Sequence, residues 1–194
     1  SVHGAIQEAK HVFIDNGLKL FNQHSLRVFE VGFGTGLNAL LSNQYSRANS
    51  VTITYHSIEA FPVEVEVVNN LNYNDLIDES TIYFNVIHSC EWGIEKLICD
   101  TFRLKKIEAK MEGFEPELNF YDIVFFDAFG PRAQSEMWSL PILEKMHGCL
   151  IGGGKLVTYC AQGQFKRDLK SIGFKVESVP GPPGKREMTI ATKL

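Results

Sequence analysis

Phe29-Glu30-Val31-Gly32-Phe33-Gly34-Thr35-Gly36-Leu37-Asn38 joins a short apolar run, Leu26 to Val31, to a helix-like segment from Leu37 to about Ala48. Three glycines at alternate positions let the backbone turn sharply where a strand becomes a helix. They also let a ligand approach the main chain without meeting a Cβ. Such a turn is where open α/β sheets bind nucleotide-like cofactors. A dinucleotide fingerprint needs a glycine at position 37, which is Leu37, and a P-loop needs Gly-Lys-Ser/Thr, which does not follow Gly36. The remaining pattern is acidic-x-Gly-x-Gly-x-Gly, from Glu30 to Gly36.

Working outward, Gly4 to Asp15 reads as an amphipathic helix stopped by Gly17, part of an N-terminal helical extension over 1–22. Val51 to Ile58 is a β-branched strand ending in Glu59, and Pro62 opens a helix over Val63 to Leu71. Thr81 to Ile87 reads as a third strand and Trp92 to Ile98 as a short helix, with an inserted strand or hairpin over 101–110. Tyr121 to Phe126 is apolar on both faces, as a central parallel strand must be, and ends in Asp127-Ala-Phe-Gly-Pro131. Ser135 is placed to cap a helix running to about His147. Lys155 to Cys160 is a fifth strand, Gln164 to Ile172 a helix and Phe174 to Val179 a sixth strand. The loop from Pro180 to Arg186 leads into a last strand over Glu187 to Thr192. No linker or repeat interrupts this alternation, so 1–194 is expected to be one α/β domain: a doubly wound, mostly parallel sheet whose last strand is antiparallel.

That order has a functional consequence. Ligands bind outside the carboxyl ends of the strands, where the glycine loop, Glu59, His88, Asp127 and Lys185-Arg186 would share one rim. Net charge is −4, but residues 155–194 carry 8 basic and 3 acidic side chains against 11 and 20 before them. The basic end is either a phosphate-facing surface or a solvated helix face. The four cysteines make no C-x-x-C pair and read as reduced thiols of a cytoplasmic protein. The histidines show no metal-ligand spacing, and no apolar run reaches the roughly 20 residues of a membrane span. Neither a metal site nor a membrane anchor or secretory leader is expected.

Individual positions then carry chemistry. Glu59 follows Gly36 at close to the offset where an acid accepts from both ribose hydroxyls; the alternative is an exposed acid after a strand. Glu30 could face the cofactor's amino group, and Phe33 and Trp92 could line an adenine pocket or simply fill the core. His88 follows the third expected strand on this rim and could contact a ligand there, or is an ordinary hydrogen-bonded histidine. Asp127 ends a fully apolar strand, where a charge is costly unless it meets a cleft or a partner.

The glycine loop resembles the first motif of class I S-adenosylmethionine-dependent methyltransferases, and the strand order is that of their Rossmann-like, seven-stranded sheet. The resemblance narrows with Glu8-x-x-His11-Val12-Phe13-Ile14, Phe29-Glu30-x-Gly-Phe-Gly-Thr-Gly-Leu-Asn38 and Ile58-Glu59-x-Phe61-Pro62. Asp127-x-Phe129-x-Pro131, Met137-Trp138 and Gly184-Lys-Arg-Glu-Met188 add to it. Together they are similar to the methyltransferase half of the bifunctional tRNA 5-methylaminomethyl-2-thiouridine biosynthesis enzymes and its stand-alone relatives. The resemblance implies S-adenosyl-L-methionine as cofactor, held by Glu30, Gly32, Phe33, Gly34, Gly36, Leu37, Asn38, Glu59, His88 and Asp127. It implies methylation of 5-aminomethyl-2-thiouridine at the tRNA wobble position, with Asp127 as the catalytic residue. An ordinary aspartate, with a pKa of about 4, is a poor base for an amine, so Asp127 is expected to hold and aim it by hydrogen bond. Arg132, Lys166, Arg167, Lys185 and Arg186 would meet anticodon-loop phosphates. Phe129, Trp138 or Tyr159 would stack the base. The family's Gly-Asp after the third strand is replaced here by His88-Ser89, and no flavin is expected, because the oxidase half has no counterpart in this sequence. The alternatives are methylation of a small-molecule or protein amine, and a non-catalytic module binding cofactor or RNA.

Overall fold

A computed structural model describes residues 2–70, 81–131 and 133–194. The expected end of the helix at Leu71 and the side chain of Arg132 lie outside them. Among the described residues, eight strands form one sheet: β1 (Ser25–Val31), β2 (Thr52–Glu59), β3 (Glu95–Cys99), β4 (Phe102–Glu108), β5 (Tyr121–Phe126), β6 (Leu150–Thr158), β7 (Phe174–Pro180) and β8 (Glu187–Lys193). Their order is β3-β4-β2-β1-β5-β6-β8-β7. β1 pairs parallel with β2 and β5, β4 parallel with β2, and β6 parallel with β5. β8 runs antiparallel to both β6 and β7, and β3 antiparallel to β4. The chain therefore builds outward from β1 in one direction, then returns to β1's other side with β5. The strand order reverses between β1 and β5, and the crevice of a doubly wound sheet opens at such a point.

All six residues of β5 are buried. Ile123 and Phe125 pack into one layer with Phe13, Leu40 and Tyr55, while Val124 and Phe126 pack into the other with Trp138, Ile142 and Phe165. The first layer is closed by the N-terminal helix α1 (Val2–Ala9) and α2 (Leu37–Asn49). α1 continues as a π-helical turn over Lys10–Asp15, which turns Val12, Phe13 and Ile14 inward in succession. Gly17 ends this segment because a Cβ there would stand 2.1 Å from the Phe13 carbonyl oxygen.

Four elements depart from the sequence reading. Residues 81–87 form no strand: they belong to a helix, Thr81–Ser89, here α4 after α3 (Val65–Asn69). The run Thr-Ile-Tyr-Phe has strand propensity, but Phe84 and Ile87 are buried three residues apart, and Arg47 of α2 lies 4.1 Å over the Tyr83 ring. Helix packing overrides local preference. The expected helix over 92–98 is instead the edge strand β3, and the segment 101–110 is a full member of the sheet as its third parallel strand, β4. The sheet thus has seven strands in the expected order plus an antiparallel edge strand. The helix expected from Ser135 begins later: Ser135–Trp138 is a 3-10 turn, and α5 (Leu140–Cys149) starts behind Ser139 with a proline in its first turn. α6 (Gly163–Ser171), β7 and β8 lie as expected.

Candidate active site

The glycine loop emerges from β1 at the strand-order reversal. Gly32, Gly34 and Gly36 have φ of 96°, 51° and 74°, all in the left-handed region. A Cβ on Gly32 would meet the Asp127 carbonyl oxygen at 2.8 Å, and one on Gly36 would meet the His88 ring at 2.9 Å. At Gly34 it would meet nothing within 4 Å. Two glycines therefore serve close packing, and the middle one opens the main chain toward a cleft. Leu37 and Asn38 start α2 and are buried.

Asn38 ties two acids together. Its Nδ2 donates to Glu30 Oε1 at 3.0 Å and to Asp127 Oδ2 at 2.8 Å, while the Ser57 hydroxyl donates to Glu30 Oε2 at 2.6 Å. Glu30 is fully buried, and burial pushes its pKa up to about 8 against the pull of Ser57, with the Asp127 charge adding to the rise. The Tyr55 hydroxyl faces this acid, and neither it nor the buried Ser42 hydroxyl closes a hydrogen bond among the described residues. Burial likewise raises Asp127 to about 7, opposed by the Asn38 hydrogen bond, with Glu8 adding to the rise and Lys185 opposing it. Asp127 lies just past the end of β5, and its amide donates to the Val31 carbonyl at 3.1 Å.

Glu59 closes the loop's other side. Its Oε2 accepts from the Gly34 amide at 3.0 Å and its Oε1 from the Phe61 amide at 2.9 Å. Each oxygen keeps a further lone pair, so the carboxylate can hold the loop and still face a diol. Beyond Gly34 a cavity of about 420 Å³ is walled by Phe33, Phe84, Trp92, His88 and Lys106. His88 reaches it from the end of α4 and not from the end of a strand, because the position after the third parallel strand is held by Ala109-Lys110. The His88 Nε2 is buried with no partner among the described residues, and burial plus the Lys106 charge depress its pKa to about 4. A turn that opens the main chain, a paired acid for hydroxyls and an orphaned ring nitrogen in an aromatic cavity fit a nucleoside cofactor.

The other side of the crevice is built on the turn after β5. The Trp138 indole donates to the Phe129 carbonyl at 2.8 Å, and the Tyr159 hydroxyl to the Ala128 carbonyl at 2.7 Å. Trp138 is buried and Tyr159 half-buried, so both brace the turn, while Phe129 stands 77% exposed beside Asp127. β7 ends on the same rim because it runs parallel to β6, which brings the loop 181–186 to the site. Lys185 lies 4.0 Å over the Tyr159 ring and is ion-paired with Glu8 of α1, and the His11 ring bonds the Pro180 carbonyl at 2.8 Å. Lys166 is engaged by Glu187 at 2.9 Å and Ser178 at 2.6 Å, and Arg167 by Gln164 at 2.7 Å; Arg186 is exposed. The basic residues thus sit near one rim, with Lys166 and Lys185 already neutralised by acids.

The sequence reading gave Ser57 and Lys106 no role and quoted Glu8 only within a family motif. A signal existed for Lys106: it continues the inward parity of Phe102 and Leu104 on β4 and is 2% exposed. Among the described residues, no group of three or more His, Cys, Asp or Glu could hold a metal, and no helix is long and apolar enough to cross a membrane.

The chain resembles the tRNA 5-methylaminomethyl-2-thiouridine biosynthesis bifunctional protein MnmC of Cupriavidus necator, at 31% identity over 206 residues. It resembles the protein of the same name from Leptospira interrogans at 28% over 223 residues. Each alignment covers 99% of this chain but only 31% and 32% of those proteins, so the chain spans under a third of their length. Among solved structures, MnmC2 from Aquifex aeolicus superposes with a TM-score of 0.70 at 21% identity, covering 96% of this chain and 60% of that one. A TehB-like S-adenosylmethionine-dependent methyltransferase from Corynebacterium glutamicum gives 0.53 at 11%, covering 91% and 85%. These likenesses establish the fold as that of class I methyltransferases. The sequence model of a family described as S-adenosyl-L-methionine-dependent methyltransferase matches residues 94–194, and the chain belongs to that family.

Proposed function

We propose that this methyltransferase transfers a methyl group to the primary amine of 5-aminomethyl-2-thiouridine at the tRNA wobble position. The observation that carries the reading is Asp127: a carboxyl anchored by Asn38 at the strand-order reversal, beside the glycine loop on one side and the exposed Phe129 on the other. The name of the bifunctional relatives supports the choice of acceptor. S-adenosyl-L-methionine, the family's cofactor, supplies an electrophilic methyl group on a sulfonium. Gly34, Glu59 and the cavity at His88 would hold it.

The chain's own residues meet the acceptor's needs. An attacking amine must be neutral, and its ammonium form has a pKa of about 10 at most, by analogy with lysine. Proton transfer to an aspartate near 4 would be uphill by about 8 kcal/mol, and to one near 7 by about 4 kcal/mol. The environment of Asp127 therefore makes it a better proton acceptor than the sequence suggested, besides a hydrogen-bond anchor that aims the lone pair. Phe129 offers an exposed ring for a splayed-out base. Arg186 and Arg167 would meet anticodon-loop phosphates. Lys185, held between Glu8 and Tyr159, instead tunes the charge around Asp127.

The test compares acceptors. Catalytic efficiency is measured with tRNA bearing 5-aminomethyl-2-thiouridine, with the free nucleoside and with a lysine peptide. The reading predicts a preference for tRNA of several orders of magnitude that falls with rising salt. Equal use of the free nucleoside, or transfer to the peptide alone, would replace it with a small-molecule or protein methyltransferase.

A further inference from the structure

Glu8 reaches the rim from an element that otherwise serves the core. Ile6 and Ala9 of α1 and Val12 of the following turn are buried in the first layer, so the helix is fixed by its apolar side. Two contacts join its other side to the last loop: Glu8 Oε1 accepts from the Lys185 ammonium, and the His11 ring bonds the Pro180 carbonyl at 2.8 Å. The Lys185 ammonium lies 4.0 Å over the Tyr159 ring, and the Tyr159 hydroxyl donates to the carbonyl of Ala128, the residue after Asp127. Glu8 is thereby linked through two side chains to the turn that carries Asp127. Burial raises the pKa of both Asp127 and Tyr159, and the Glu8 charge adds to each rise. Lys166 pairs with Glu187, and the Arg186 charge acts on the same acid. Among the described residues, the charged groups around the turn are therefore two acids, Glu8 and Asp127, and one ammonium, Lys185.

This arrangement already holds one primary alkylammonium between a carboxylate and an aromatic face. The Glu8 side chain keeps 35% of its surface, so a ligand can reach it, and a carboxylate offers about four lone-pair sites. The acceptor amine arrives at pH 7 mostly as a primary alkylammonium too. Asp127, raised to about 7, carries its own charge only about half the time there, which weakens its hold on a cation. We propose that Glu8 is a specificity-determining residue, whose carboxylate, aimed by Lys185, accepts a hydrogen bond from the protonated aminomethyl group and brings it to Asp127. This rests on the 5-aminomethyl-2-thiouridine reading and adds how the charged wobble base is told from an uncharged one.

Binding of two tRNAs to the S-adenosylhomocysteine-loaded protein tests this without turnover, one carrying 5-aminomethyl-2-thiouridine and one carrying 2-thiouridine at the wobble position. The wild type should prefer the aminomethyl tRNA by about tenfold or more, as expected for a hydrogen bond between charged groups. Glu8→Gln keeps the side chain's length and removes its charge. It should bind the 2-thiouridine tRNA within about twofold of wild type while its preference falls below about threefold. The ratio is independent of the folded fraction, because both tRNAs meet the same protein. His11→Phe, which loosens the same helix from the loop without touching Glu8, should leave the preference in place. An unchanged preference in Glu8→Gln, or an equal loss for both tRNAs, would overturn the proposal and leave the acceptor reading intact. Failure of the wild type to methylate the aminomethyl tRNA would overturn both.

Discussion

Replacing Glu30 with glutamine should stabilise the protein in a pH-dependent manner. Glu30 is fully buried, and its carboxyl is raised from an ordinary 4.5 to about 8. The folded state therefore holds this proton more tightly than the unfolded chain. The stability that goes with it is fully present below about pH 4.5 and is lost as pH climbs, until the folded acid also ionises near pH 8. At pH 7 the unfolded chain gains about two and a half pK units of ionisation free energy that the folded chain does not, or roughly 3 kcal/mol; at pH 5 the figure is under about 1 kcal/mol. Glutamine carries no such dependence. It introduces a constant offset, because its amide nitrogen must face either Asn38 or Ser57, which both donate to Glu30. The melting-temperature gap between Glu30→Gln and wild type should thus widen by roughly 4–10 °C between pH 5 and pH 7, taking about 2–4 °C per kcal/mol for a chain of this size. It should level off above about pH 8. Circular dichroism melts in matched buffers measure it. A gap independent of pH would show that Glu30 is ionised in the folded state, and the buried acid pair would have to be discarded.

Four further outcomes follow from the site. Asp127→Asn should lower kcat by about 10²- to 10³-fold, a loss typical of a group acting on developing charge, while S-adenosylhomocysteine affinity stays within a few-fold. In the wild type, kcat/KM should rise with pH through about 7 as Asp127 loses its proton, and this limb should be missing in the variant. Gly36→Ala should cost both stability and cofactor affinity, because its Cβ meets His88 and Phe33; Gly34→Ala faces open space and should cost chiefly affinity, with a penalty of about 1–2 kcal/mol for left-handed backbone. Arg186→Ala should reduce the salt slope of tRNA binding by about one, whereas Lys185→Ala, whose partner is Glu8, should impair turnover even at high salt.

The sheet's centre was legible because its signals are local. Tyr121 to Phe126 reads as a doubly buried strand from its apolar run, and the alternating glycines after Val31 as a sharp strand-to-helix turn. The region between Glu59 and Tyr121 was not, because its order is set by contacts far apart in sequence. Thr81 to Ile87 has the composition of a strand and becomes a helix by packing Phe84 and Ile87 toward α2, which displaced the third strand by one hairpin. His88 was expected after a strand, whereas it lines the cavity beside the glycine loop from a helix end. Asp127 was visible from the cost of a charge at the end of an apolar strand, but its raised pKa was not. That comes from burial, with Glu8 adding to the rise and Asn38 and Lys185 opposing it, all three separated from Asp127 by 58 residues or more. Charge counting likewise identified a basic end yet could not show that Lys166 and Lys185 are neutralised by Glu187 and Glu8.

The most direct test uses methyl-labelled S-adenosyl-L-methionine, tRNA carrying an unmethylated 5-aminomethyl-2-thiouridine at the wobble position, and nucleoside analysis after complete digestion. The account predicts label in a single nucleoside, 5-methylaminomethyl-2-thiouridine, with the wild-type protein and near-background label with Asp127→Asn. Label in any other nucleoside, or none at all from a protein that binds S-adenosylhomocysteine, would contradict it.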